Sequence, residues 1–322
     1  MNVGPMPSSV CRRRVTCCAD TTHSARKGSG NVFVEQDDTA GAGDATPNKR
    51  DADMTRLQRH FARLWRMLQR YWFLLASFRN GAALVCKYRR RLPCDHAVCW
   101  DGATLHSPPN RTGLIETILE IWHEEVYTGK FYQPKCGDVV IDAGASVGLF
   151  CVWLARNHPD CRILAFEPFA ENYQRLLQNI ASSHVSTIEA HQAALAGKPG
   201  LGRMVDGGSR LLDHRLAVEI DDSTSEPAIP VCSFKQVIEM ANAGRIGFFK
   251  IDIEGSEHSL FENVSTEDLK RVSRFAIEYH DNLCPGTLHL LKSRLHESHD
   301  VVIRNADEDG YGMLYAELRE FV

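Results

Sequence analysis

The sequence predicts an α/β fold: a doubly wound, mostly parallel sheet with a basic helical extension ahead of it. After Gly137, apolar runs of strand length alternate with stretches of helical periodicity, the order that builds parallel sheets from strand–helix–strand units. The first run, "DVVIDAG" at 138–144, is apolar without alternation, as in a strand buried on both faces. It ends in an acid and leads into two glycines four apart, Gly144 and Gly148, which a packed core alone does not call for.

Residues 1–53 are rich in Ser, Thr, Asp, Gly and Ala, lack periodicity, and are expected to be disordered. Their start carries charges but no apolar stretch of the secretory kind, and Met54, which opens the periodic segment, is a candidate start codon. A basic amphipathic helical extension is expected over 54–111. In it Leu57, Phe61, Leu64, Leu68, Trp72 and Leu75 recur at steps of three and four, with Arg56, Arg59, Arg63, Arg66 and Arg70 between them. Such a helix either lies in a membrane interface or packs its stripe on the folded body with the arginines in water, the simpler expectation. The main domain takes 112–322.

Within that domain "TGLIETILEIWHEEV" (112–126) reads as a helix, and 148–158 as another, stopped by Pro159. A second strand at 162–168, "RILAFEP", again closes on an acid. A helix at 171–183, a strand at 185–195 and a loop or edge hairpin at 197–213 follow. Ser233 and Gln236 form a capping box that opens the next helix. Strands at 246–254 and 274–280, a helix at 285–298, and strands at 300–305 and 312–318 complete the chain.

The composition, 43% hydrophobic and 24% charged over 322 residues, is that of an ordinary globular protein with a sizeable core. Charge is unevenly placed. Between Met54 and Arg91 stand ten Lys and Arg and no acid, so with a net −4 overall the rest of the chain carries −14. A basic arm on an acidic body suggests contact with an anionic surface, such as a peripheral membrane contact through 54–91. The longest apolar run near the start, "YWFLLASF" at 71–78, is too short to span a bilayer. The eleven cysteines show no zinc-site spacing. Cys151 and Cys161 fit as small core hydrophobes, which suits a reducing cytoplasm.

Ligands of a doubly wound sheet bind beyond the carboxyl ends of the strands, where the strand order reverses. Asp142 would stand there as a buried carboxylate that needs a cation or a donor. Gly144 turns the chain and lets backbone approach a ligand; Gly148 lets the next helix pack close to the strand. A dinucleotide turn wants G-x-G-x-x-G, whereas the run here is G-A-S-V-G. An acid before the turn suits S-adenosylmethionine, which carries an ammonium and a sulfonium. Glu167, ending the second strand, can accept both hydroxyls of a ribose, which serves either cofactor.

The segments "GDVVIDAGASVGLF", "AFEPFAENYQRLLQN", "AAL" and "FKIDIEGSE", in this order, resemble the FkbM-type S-adenosylmethionine-dependent methyltransferases. The resemblance covers roughly 110–320 of the chain, and K-I-D-I-E-G-S-E is its most specific part. It implies a class I methyltransferase fold, a seven-stranded sheet of order 3-2-1-4-5-7-6, and O-methylation of hydroxyls on sugars, glycans or secondary metabolites. It implies that Asp142, Gly144, Ala145 and Gly148 hold the methionine part of the cofactor and Glu167 the ribose, with Asn172 nearby. Ser146, Tyr127 and Thr128 are further candidates around the pocket. The sequence departs from the family at "SFK" (233–235), where Lys235 replaces a common acid, and at Ser146, where Asn is frequent.

Methyl transfer to oxygen needs a positioned hydroxyl and a group that takes its proton. The candidates are Lys250, Asp252 and Glu254 at the end of the fourth strand, with Glu278 and His280 at the end of the fifth. His280 is the best base by intrinsic pKa. No separate metal motif is present, and "HESH" at 296–299 is expected at the surface. Two other functions fit less well: an NAD-dependent oxidoreductase, and a non-catalytic binding protein with a degenerate pocket. No Asp/Asn-Pro-Pro-aromatic run follows the fourth strand, so no nucleic-acid substrate is expected.

Overall fold

Seven strands build the central sheet: β1 (Val139–Ala143), β2 (Arg162–Phe166), β3 (Ile188–His191), β4 (Phe248–Ile251), β5 (Arg274–His280), β6 (His299–Arg304) and β7 (Tyr311–Leu318). They lie in the order β6-β7-β5-β4-β1-β2-β3, which is 3-2-1-4-5-7-6 read from the other edge. All pairs from β3 to β5 are parallel, and β7 runs antiparallel to both β5 and β6. The mostly parallel, doubly wound, seven-stranded sheet is therefore the one expected. The computed structural model describes residues 49–319 apart from 110, 130, 131, 133, 207–213, 218–227, 305 and 307–309. The expectation of disorder over 1–53 thus lies, for 1–48, outside the described residues.

Both faces of the sheet are covered, which is why its strands read as unbroken apolar runs. Successive side chains point to opposite faces. Val140, Ile163 and Phe248 enter one core, and their neighbours Ile141, Leu164 and Phe249 enter the other. Every one of the six is buried to 1% exposure or less, so truncating Ile141 to alanine would cost about 2–5 kcal/mol.

The chain divides into two compact units, Met1–Arg70 and Tyr71–Val322. The first helix, α1 (Lys49–Ser77), crosses that boundary, and α2 (Gly81–Arg90) follows it. Within the second unit, Leu74 and Phe78, Leu84 of α2, and Ala97 and Leu105 from a hairpin (His96–Val98 with Thr104–His106) join the core containing Val140. The segment 54–111, expected as a helical extension, is therefore helical only to Arg90 and ends in a hairpin. The apolar stripe of α1 is exposed at Phe61, Leu64, Leu68, Trp72 and Leu75, so the simpler expectation of a covered stripe fails.

Three further expectations are adjusted. The helix over 112–126 is a short α-helix (Leu114–Ile118) that widens into a π-helix (Leu119–His123). The strand over 185–195 breaks after His191, and Ala194–Leu195 enters a second, four-stranded sheet with Ile229–Cys232, Gly200–Asp206 and His214–Ala217, in that order. His299 and Ser298, expected at the surface, are buried: the ring bonds the Val272 carbonyl through Nε2 at 3.0 Å and meets Ser298 Oγ through Nδ1 at 2.8 Å. The remaining labelled helices are α3 (Leu149–Asn157), α4 (Ala170–Ser182), α5 (Phe234–Ala241), α6 (Glu257–Glu262) and α7 (Thr287–Leu295). Helix α5 opens with the Ser233/Gln236 capping box. Lys235 lies exposed on it, 4.0 Å from Glu239.

Candidate active site

The order of strands reverses between β1 and β4, and the turn that follows β1 is built around its glycines. Gly144 has φ +75°, and a Cβ there would stand 1.7 Å from the Asp252 carbonyl oxygen. Its side is closed by the backbone after β4, a reason for glycine that the expected ligand approach does not supply. Gly148, with φ +84°, would drive a Cβ to 2.4 Å from Leu176 Cδ1, so it makes room for α4 rather than for the strand. The amides of Gly144 and Ala145 donate to the Phe166 carbonyl at 3.0 and 2.9 Å. Buried Asn179 of α4 fixes the turn's far side, donating to the Val147 carbonyl at 2.7 Å while bonding both backbone groups of His106. The sequence reading missed it, since it looks like one polar residue among several on an amphipathic helix.

Ser146 adopts φ +50°, a left-handed conformation that Asn tolerates better than most residues, which gives a physical sense to the Asn that the resemblance leads one to expect there. Its amide donates to Glu167 Oε2 at 2.7 Å, and the Phe169 amide donates to Oε1 at 2.9 Å. Burial lifts the Glu167 carboxyl to about 7 against the pull of those two amides. Each of its oxygens keeps a further lone pair. Asn172, in the first turn of α4, and Thr128 are both buried.

Asp142 is paired by the chain itself. The register sets Lys250 of β4 directly beside it, and Nζ lies 3.2 Å from Asp142 Oδ1 and 3.6 Å from Asp252 Oδ2. Nζ also donates to the Gly144 carbonyl at 2.7 Å and sits 5.0 Å from the centre of the Tyr127 ring. Burial pulls the ammonium down, but Asp142 and Asp252 outweigh it and hold Lys250 above its ordinary value. Lys250 is thus a counter-ion, not a group free to take a proton. Burial raises the Asp142 carboxyl despite the lysine, and its Oδ2 has no hydrogen-bond partner.

Beyond β4 and β5 the remaining acids converge. Tyr127 Oη lies 2.9 Å from Asp252 Oδ2 and 3.1 Å from Glu278 Oε2. One hydroxyl has one proton, so two such bonds require a proton on one of the carboxyls. Glu278 is the group to carry it, raised to about 8 by burial and by Asp252. Glu254, at φ +49°, faces His280 Nε2 at 3.4 Å, and Glu257 holds Nδ1 at 3.2 Å. Burial would depress His280, but the Glu257 hydrogen bond and charge, with Asp252 and Glu254, lift it to about 9. Burial and Asp252 lift Glu254 to about 8. Glu257 is fully buried and also accepts from the amides of Ile253 and Gly255. It stands in the run "DIEGSE" that pointed to its neighbours, yet its role as the holder of His280 was not read there. His280 is buried.

Asp252, Glu254 and His280 each offer an atom within 4.8 Å of the others, spacing that can take a divalent cation. For S-adenosylmethionine the fit rests on Asp142 Oδ2 and Ser146 Oγ, both buried without a hydrogen-bond partner on the glycine corner, and on Glu167 with lone pairs to spare.

A sheet of order 3-2-1-4-5-7-6, with a glycine turn where the order reverses and carboxylates ending β1 and just past β2, defines a class I methyltransferase. The chain belongs to the FkbM methyltransferase family: the family model described as "Methyltransferase FkbM domain" matches residues 142–309. It is an S-adenosylmethionine-dependent methyltransferase, which removes the NAD-dependent oxidoreductase alternative. The chain is 26% identical over 192 residues to Methyltransferase 1 of Beauveria bassiana, covering 51% of this chain and 74% of that protein. It is 25% identical over 192 residues to the 31-O-demethyl-FK506 methyltransferase FkbM of Streptomyces tacrolimicus, covering 49% and 74%. Among solved structures, M. jannaschii TYW2 in complex with AdoMet overlays with a TM-score of 0.39 at 10% identity, covering 70% of this chain and 86% of that one; the fold assignment rests on the strand order, not on that overlay.

Proposed function

We propose that this enzyme methylates a hydroxyl of a small molecule, such as a sugar, a glycan or a secondary metabolite, with S-adenosylmethionine as methyl donor. The observation that carries it is the Asp252–Glu254–His280–Glu257 cluster, buried except at the partly exposed Glu254, which lies across the Asp252 backbone from the glycine turn. A relative named for 31-O-demethyl-FK506 acts, by that name, on an oxygen of a small molecule, which supports the reading. Asp142, Gly144, Ala145, Ser146, Gly148, Glu167 and Asn172 would hold the cofactor. When bound, it supplies a methyl carbon made electrophilic by the sulfonium.

The chain's own part is to orient a hydroxyl and find a place for its proton. Glu257 fixes His280 through Nδ1, so Nε2 faces Glu254. A proton leaving the acceptor can settle on either atom of that pair once the pair has lost one of its own. Tyr127 holds Asp252 and Glu278 in register, and Asp252 is placed to receive a hydrogen bond from the acceptor. The reading further includes a cytoplasmic reaction, supported by eight free cysteines among the described residues. It takes residues 54–91 to contact an anionic surface, and it includes no nucleic-acid substrate.

The test is transfer of labelled methyl from S-adenosylmethionine to a panel of free sugars, oligosaccharides, polyketide alcohols, amines and carboxylates. Label fixed as an ether on a hydroxyl, and lost in His280→Asn and Glu254→Gln with cofactor affinity kept, supports the reading. Label found only on nitrogen or on a carboxylate refutes it.

A further inference from the structure

Helix α1 carries one face that the fold does not use among the described residues. At about 100° per residue, Phe61, Leu64, Trp65, Leu68, Trp72 and Leu75 fall on one stripe, while Arg59, Arg63, Arg66 and Arg70 fall on the opposite side. The aromatic residues of the stripe are the most exposed: Phe61 60%, Trp65 63% and Trp72 64%. The core is served by another side of the same helix, through Leu74, and by Phe78 just past its end. Covering the core therefore gives no reason for a stripe of six large apolar residues.

In the second unit, Trp72 and Leu75 of α1 belong to this stripe. Trp100, at the tip of the hairpin, is 64% exposed, and its Nε1 donates to the Ala76 carbonyl at 2.8 Å. Ala76 follows Trp72 by four residues and shares its face, so the two indoles border one exposed patch. Lys87, Arg89 and Arg90 add positive charge in the last turn of α2, and no acid occurs anywhere from Met54 to Arg91. Among the described residues no helix is long and apolar enough to cross a membrane. Arginines on one face, Trp, Phe and Leu on the other, and no negative charge are the composition of a helix that lies in the plane of an anionic bilayer surface. A protein groove would accept the apolar stripe but gives no reason for ten cations without an acid.

Resting on the anionic-surface contact proposed above, we infer that helix α1 is a docking element for anionic lipid bilayers, with Trp100 beside its Trp72 end in the second unit. Its aromatic stripe sits at the acyl boundary and its arginines among the headgroups. The enzyme then works at a membrane surface.

The test is co-sedimentation of the full chain with vesicles of phosphatidylcholine alone or mixed with phosphatidylserine, read also by tryptophan emission. The expected result is binding to the mixed vesicles with a blue shift, weakened by salt, and little binding to phosphatidylcholine. Phe61→Ser combined with Trp65→Ser should lower the partition coefficient about tenfold or more, with the melting temperature unchanged. Failure to bind mixed vesicles while heparin or RNA binds overturns the bilayer but leaves an anionic contact standing. Failure to bind any of them overturns both. Self-association in sedimentation velocity that the serine variants abolish, without vesicle binding, assigns the stripe to a second copy and overturns the inference.

Discussion

Replacing Lys250 with methionine tests the innermost contact of the site. The substitution nearly conserves volume but removes the cation facing two acids, one of them Asp142 at 0% exposure. Removing one partner of a buried pair leaves an uncompensated charge and costs roughly 3–5 kcal/mol. For a domain of this size, at about 2–4 °C per kcal/mol, that is a fall in melting temperature of about 6 to 20 °C. The Gly144 carbonyl also loses its 2.7 Å donor, so the turn loosens and cofactor affinity should fall with stability. Asp142→Asn in the same chain removes the orphaned charge. The double variant should therefore recover part of the loss, whereas independent sites would simply add. Urea unfolding of the four proteins, with cofactor affinity measured by calorimetry, is the assay. A loss below about 1 kcal/mol for Lys250→Met, or plain additivity, would refute the pairing as the reason that β1 ends in an acid.

Gly144→Ala must place a Cβ where the Asp252 carbonyl stands and hold φ +75°; a loss of about 3 kcal/mol or more is expected in urea unfolding, with no cofactor binding in the fraction still folded. Tyr127→Phe leaves Asp252 and Glu278 without their shared hydroxyl, costing about 1–3 kcal/mol and lowering kcat more than it raises the cofactor Kd. Methyl transfer should rise with pH as Glu254, at about 8, and His280, at about 9, shed the protons that block a base; a rate independent of pH from 6 to about 9 would rule the pair out as proton acceptor. Stability should move the other way. Glu254 and Glu278 rise from their ordinary 4.5 to about 8 in the folded chain, so the native state binds more protons and loses stability as pH climbs through that window. The support that His280 gives below 6.5 is likewise lost as pH passes about 9.

The sheet was readable because each of its first strands is an apolar run bounded by turn residues, a signal contained in a few neighbouring positions. The corner after β1 was readable for the same reason, but the causes assigned to its residues were not. Asp142 already faces a cation in Lys250, whose place beside it depends on the register between β1 and β4 and so could not be read locally; Oδ2 is what stays open to a cofactor. Gly144 has a further reason to be glycine, the Asp252 backbone packed against it, which belongs to another strand and leaves no local mark. His299 reads as a surface histidine until the Val272 carbonyl is seen beside it. Glu257 was harder to find: its carboxylate bonds the Ile253 and Gly255 amides of the turn before α6, which the run "DIEGSE" does not reveal on its own. The break after His191 carried no local mark, since alternation continues through the bend into the second sheet.

The most direct test of the central claim is thermal unfolding of the full chain with S-adenosylmethionine, S-adenosylhomocysteine, NAD or no ligand, in the natural protein and in Glu167→Ala. At about 100 times its dissociation constant a ligand adds roughly 2.7 kcal/mol of stability. Stabilisation by the adenosylmethionine pair alone, lost in Glu167→Ala, is the predicted result. A folded protein stabilised by NAD instead, or by none of the three, would contradict the assignment of the glycine corner to this cofactor.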